Sequence, residues 1–133
     1  MKTAVHIERD FYTIISQSQL GKALKGKVYR KEMRPIGSQE EDLILSLLSG
    51  VDGQVQTGVV AVSIYVNDIP FEGRLVRDTE RIGELLELVN SITENYSFGY
   101  VISTDGTPSI IQLEDLPQHV ISIRLYFEYL NLD

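Results

Sequence analysis

The sequence predicts an α+β domain: two helices laid on one antiparallel or mixed sheet, in the order α-β-β-β-α-β-β-β. Three observations lead there. Two segments carry apolar residues at helical spacing, residues 119–130 alternate at the two-residue period of a strand, and Val55–Asn67 is dense in β-branched residues. No repeat or linker interrupts the 133 residues, so a single domain, 1–133, is expected.

The first helix is read over Glu8–Gln17, where Phe11, Ile14 and Ile15 share one face. Upstream, His6 is expected in a frayed end. Gly21 and Gly26 bracket a basic segment, Lys22–Lys27, which reads as a helix end or a turn-rich connection. Lys27–Arg34 follows as a mostly polar strand, stopped by Pro35, Gly37 and Ser38.

Residues 42–49 carry two signals. Leu43, Ile44, Leu45, Leu47 and Leu48 favour a helix by leucine content. Asp52-Gly53 is a type I′ hairpin dipeptide, and a hairpin needs strands on both arms, so 42–49 is assigned as strand. Val55–Asn67 has apolar residues on both faces and is expected at the centre of the sheet. Asn67, Asp68, Pro70 and Gly73 then mark a loop around Phe71.

Asp78 or Thr79 caps the second helix. Ile82, Leu85, Leu86, Val89 and Ile92 form its inner face, with Glu80, Arg81, Glu84 and Glu87 outside. Phe98–Ser103 and Ser109–Leu113 read as strands parted by a turn at Asp105, Gly106 and Pro108, and Asp115–Pro117 ends the second. In His119–Leu130, Ile121, Ile123, Leu125, Phe127 and Tyr129 face one way; Ser122, Arg124, Tyr126 and Glu128 face the other.

Little in this chain points to catalysis. Without cysteine there is no disulfide, thiolate nucleophile or Cys-based zinc site. Neither His6 nor His119 stands at metal-ligand spacing from another ligand, and no nucleophile elbow occurs. His119, just after Pro117, reads as a polar strand-end residue before it reads as a general base. Glu40, Glu41 and Asp42 are consecutive, as are Glu114 and Asp115; neighbours in sequence diverge on strand or helix, so both runs read as solvated acidic turns. Gly21 and Gly26 have the spacing of a phosphate loop, but no strand precedes them and Val28 stands where a hydroxyl is needed. The chain is thus expected to be no enzyme, to hold no metal and to need no cofactor.

Residues 97–101 (SFGYV) look like the aromatic strand of an RNA-recognition domain. Two facts argue against that use. Residues 82–123 hold no Lys or Arg to attract phosphate, and the element order is wrong for that domain. Phe98 and Tyr100 read instead as cross-strand packing. The longest apolar run, Val59–Val62, is far too short for a membrane span, and the N-terminus has no signal-peptide core. A soluble intracellular protein without specific nucleic acid or membrane partners is expected.

Charge distribution is the informative feature. The net charge is −7, from 12 Lys and Arg against 19 Asp and Glu. Residues 22–34 hold Lys22, Lys25, Lys27, Arg30, Lys31 and Arg34 against Glu32 alone, a net +5, which leaves −12 on the rest. A basic strand edge that blocks aggregation is the plain reading. The functional reading is a stripe that docks on the acidic body of a neighbouring copy or partner, making head-to-tail contacts that close into rings. Asn67, Asp68 and Phe71 are the loop residues expected to join that interface.

Four stretches carry a resemblance: Gly26–Tyr29 (GKVY), Arg34–Asp42 (RPIGSQEED) leading into an apolar strand, Gly58–Ile69 (GVVAVSIYVNDI) and His119–Phe127 (HVISIRLYF). With the two helices, they make residues 8–130 resemble small phage and prophage proteins of Bacteroides-type genomes, related to tail-completion or tail-terminator proteins. The resemblance implies a compact α+β fold, a ring at the head–tail joint, and no catalytic residues. It also implies other phage head or tail proteins as partners, with assembly in the bacterial cytoplasm and a place in the virion. The chain departs from that pattern in its acidity outside 22–34 and its Leu-rich 43–48. A monomeric or dimeric regulatory module that binds a protein or small ligand is the alternative.

Overall fold

The computed structural model describes residues 2–51, 55–94 and 99–130. Two helices open the chain, α1 (Ala4–Gln17) and α2 (Gln19–Ala23). Strands β1 (Val28–Arg30), β2 (Leu43–Val51) and β3 (Val55–Asn67) follow, then a ribbon of β4 (Ile69–Phe71) and β5 (Arg74–Val76). Helices α3 (Thr79–Leu88) and α4 (Asn90–Thr93) lead to β6 (Tyr100–Thr104), β7 (Ser109–Gln112) and β8 (Gln118–Leu130). The fold is α+β, as expected.

One mixed sheet runs β1-β2-β3-β8-β6, with β7 also paired to β8. Among the described residues, only β1 and β2 are parallel; β2–β3, β3–β8, β8–β6 and β8–β7 are antiparallel. Val55–Asn67 is central, as its two-sided apolar pattern predicts. β3 and β8 match residue for residue from Val55↔Leu130 to Asn67↔Gln118.

The helices cover one face. Leu43 and Leu45, then Val60, Val62, Ile64 and Val66, then Ile121, Ile123, Leu125 and Phe127 form a single buried cluster with Ile7, Phe11, Ile14 and Ile15 of α1 and Ile82 and Leu85 of α3. At its centre, the rings of Phe11, Tyr100 and Phe127 meet in a triangle with centroids 5.2–5.6 Å apart. Each such pair adds about 1 kcal/mol beyond its burial. Gly58 makes room for it: a Cβ there would stand 2.7 Å from the Phe127 ring and 2.4 Å from the Ser49 carbonyl. Burial raises the Tyr100 hydroxyl's pKa, and its bond to Asp10 Oδ2 at 2.7 Å raises it further. Tyr100 is therefore core, and unavailable as a base-stacking platform.

Several expectations need correction. The first helix starts at Ala4, because Thr3 Oγ1 accepts the His6 N–H at 3.2 Å; His6 lies within the helix. The strand expected over 42–49 is present as β2, Leu43–Val51, since β1 and β3 pair with both its sides and override leucine's helix propensity. A bulge between Leu47 and Ser49 leaves Leu48 exposed. The strand expected over Lys27–Arg34 is only Val28–Arg30, ended by a turn with Glu32 at φ 69°. The loop expected around Phe71 is a β-ribbon whose turn places Glu72 and Gly73 at φ 49° and 78°.

The second helix breaks at Val89, though its inner face is as expected, and Asp78 caps it through Oδ1 to the Arg81 N–H at 3.1 Å. β6 and β7 are two pieces of one edge strand. Thr104 pairs with Leu125 and Ser109 with Ser122, so the turn at 105–108 is an insertion in that edge. Asp52-Gly53 and Phe98 lie outside the described residues.

Candidate interaction surface

The candidate surface is segment 22–42, which leaves α2, forms β1 and returns to start β2. Two buried carboxylates hold it. Glu41 and Asp42 are 4% and 1% exposed, so the run Glu40–Asp42 is no solvated turn. Their partners lie far away in sequence, and a local reading cannot see them.

Arg81, expected to face solvent, grips Glu41 with a two-pronged fork: Nη2 to Oε1 at 2.6 Å and Nε to Oε2 at 2.9 Å. It also donates to the Ala23 carbonyl at 2.7 Å and to Glu84 at 3.0 Å. The Glu41 pairing raises the guanidinium's pKa against the opposing effect of burial. Glu41 Oε1 accepts the Lys25 N–H at 3.0 Å. One ion pair thereby clamps α3, the end of α2 and the entry to β1 together.

Asp42 does the same for the far side. Its Oδ1 accepts the Lys27 N–H at 2.9 Å; its Oδ2 accepts Arg34 Nε at 2.9 Å and the Ser38 hydroxyl at 2.8 Å. Burial alone would raise this carboxyl's pKa, but the Lys27 N–H, the Arg34 guanidinium and the Ser38 hydroxyl together hold it below its ordinary value. The Arg34 guanidinium sits over the Tyr65 ring, 3.7 Å from its centroid. It also donates to the Ser38 and Glu40 carbonyls and to Gln118 Oε1. Gly26 permits this closeness, since a Cβ there would fall 2.2 Å from Asp42 Oδ1 and 2.5 Å from the Glu41 carbonyl.

The candidate residues therefore separate. Lys22, Lys25, Lys27, Arg30 and Lys31 are exposed, with the Arg30 guanidinium 5.4 Å from the Tyr12 ring. Arg34, only 9% exposed at its side chain, is locked into the scaffold and does not belong to the stripe. Asn67 is exposed and accepts from Gln118 Nε2 at 2.8 Å. The Asp68 carboxylate is buried against His119 Nδ1 at 2.6 Å, which also gives His119 its place as a paired strand-end residue. Phe71 is exposed on the β4–β5 ribbon.

No family model matches the chain, and no curated protein does.

Sequence reasoning missed the Glu41–Arg81 and Asp42–Arg34 pairs. One signal was available: Glu41 and Asp42 stand immediately before an apolar strand, where burial begins. Among the described residues, no group of three His, Asp or Glu side chains is placed to hold a metal, and no helix is long and apolar enough to cross a membrane.

Proposed function

We propose that this chain is a non-enzymatic structural protein of a phage or prophage particle, acting at the head–tail joint or tail end by assembling into a ring. One observation carries the reading. Five exposed cations, Lys22, Lys25, Lys27, Arg30 and Lys31, are held on a clamped platform while the chain outside 22–34 carries a net −12. A solvated protective edge needs only charge; the buried fork of Arg81 and the Arg34–Asp42 pair also give this one a fixed shape. Preorganised charge of this kind favours one partner geometry over many. The sequence resemblance to tail-completion proteins supplies the setting, and other head or tail proteins are the further partners.

Mass photometry across protein concentration, at low and high salt, tests this. The reading expects one closed oligomer that dissociates as salt rises, because the Debye length falls from about 10 Å at 0.1 M to about 3 Å at 1 M. A monomer under every condition that also binds no head or tail protein would overturn it.

A further inference from the structure

The basic cluster follows β1, which is one edge of the sheet, and the opposite edge is β6 with β7. β1 pairs only with β2, so its other side has no strand partner among the described residues; β6 and β7 pair only with β8. The two free edges differ in chemistry. Lys27 and Arg30 bound and end the β1 edge, with Lys25 and Lys31 beside them. The β6–β7 edge belongs to a stretch, 82–123, with no Lys or Arg; Asp105 lies in its turn, and Glu114 and Asp115 follow β7. It also exposes Val101 and Ile111, at 55% and 54%.

Strand direction links the two edges. β1 and β2 run one way, β3 the other, β8 with β2, and β6–β7 with β3. β6–β7 therefore runs opposite to β1. A second copy related by rotation about an axis along the strands keeps these directions, so its β6–β7 edge meets β1 antiparallel, the more stable pairing. A cleft of about 410 Å³ opens beside β1, lined in part by Tyr12, Ser16, Val28, Tyr29 and Met33. It offers apolar surface on the helix side of the sheet, the side to which Ile110, paired with buried Ile121, projects. Ser16 Oγ on its wall is buried and has no hydrogen-bond partner among the described residues.

We infer that β1 of one copy pairs antiparallel with the β6–β7 edge of the next, so that the sheet continues from subunit to subunit. This inference rests on the ring reading and names its contact. The two edges are different surfaces, so the contact is head-to-tail and repeats until it closes. β1 is only three residues long, which keeps the backbone pairing short and leaves much of the attraction to charge.

The absence of cysteine makes a direct test possible. Met33→Cys and Ile111→Cys each place one thiol at an exposed neutral position, one on each edge. Mixed, and treated with a short bifunctional maleimide, the pair should give a cross-linked heterodimer in several-fold excess over either homodimer, lost at high salt. Val101→Cys replaces Ile111→Cys if the latter perturbs the fold by circular dichroism. Oligomers without that cross-link would overturn the edge contact and leave ring assembly to another surface. A dominant Met33→Cys homodimer would overturn the head-to-tail geometry. A strict monomer that binds no head or tail protein would remove the ring reading as well.

Discussion

Arg81, at the start of α3, closes both nitrogens of its fork on Glu41, 40 positions earlier in the chain, at 2.6 and 2.9 Å. This contact joins the helical layer to the basic segment. Truncation would leave a buried carboxylate without its partner, so Arg81→Ala should cost about 3 kcal/mol. Arg81→Lys keeps the charge but loses the fork, and should fall between the two. Urea unfolding of the three proteins, read by circular dichroism, checks the order.

The Asp42 carboxyl has a folded-state pKa below its ordinary value of 3.8. A depressed acid contributes stability that is fully present above that ordinary value and is lost as pH falls through the folded one. Stability should therefore decline below about pH 4. Asp42→Asn should be less stable at pH 7 and show a shallower acid decline. Thermal melts from pH 7 down to pH 2.5 would reveal it.

Two glycines should respond in opposite directions. Gly26→Ala drives a methyl into Asp42 Oδ1 and the Glu41 carbonyl, and should destabilise by about 1–3 kcal/mol. Gly83, within α3, has open space around its would-be Cβ, so Gly83→Ala should stabilise by about 0.5–1 kcal/mol. Their melting temperatures, compared with the wild type, test the clamp against a site outside it.

Much of the fold was legible because its signals are local. The alternation from Ile121 to Phe127, the helical face from Ile82 to Ile92 and the β-branched run at 59–66 each report burial through periodicity alone. The β4–β5 ribbon was hidden because its turn uses Glu72 before Gly73 instead of the common Asn or Asp. The split of the edge strand at 105–108 was hidden too, since the same turn residues serve a hairpin or an insertion. The candidate surface was half legible. Its charge was plain in the sequence, but Arg34 and Lys27 look alike there, and only Arg34 finds Asp42, Tyr65 and Gln118.

The most direct test of the central claim is sedimentation velocity at low salt on the wild type and on a Lys27→Glu, Arg30→Glu, Lys31→Glu triple variant. These three side chains are exposed and outside the clamp, so the variant should melt close to the wild type. The account predicts one closed oligomer for the wild type and a monomer for the variant. Equal assembly by both proteins would contradict it.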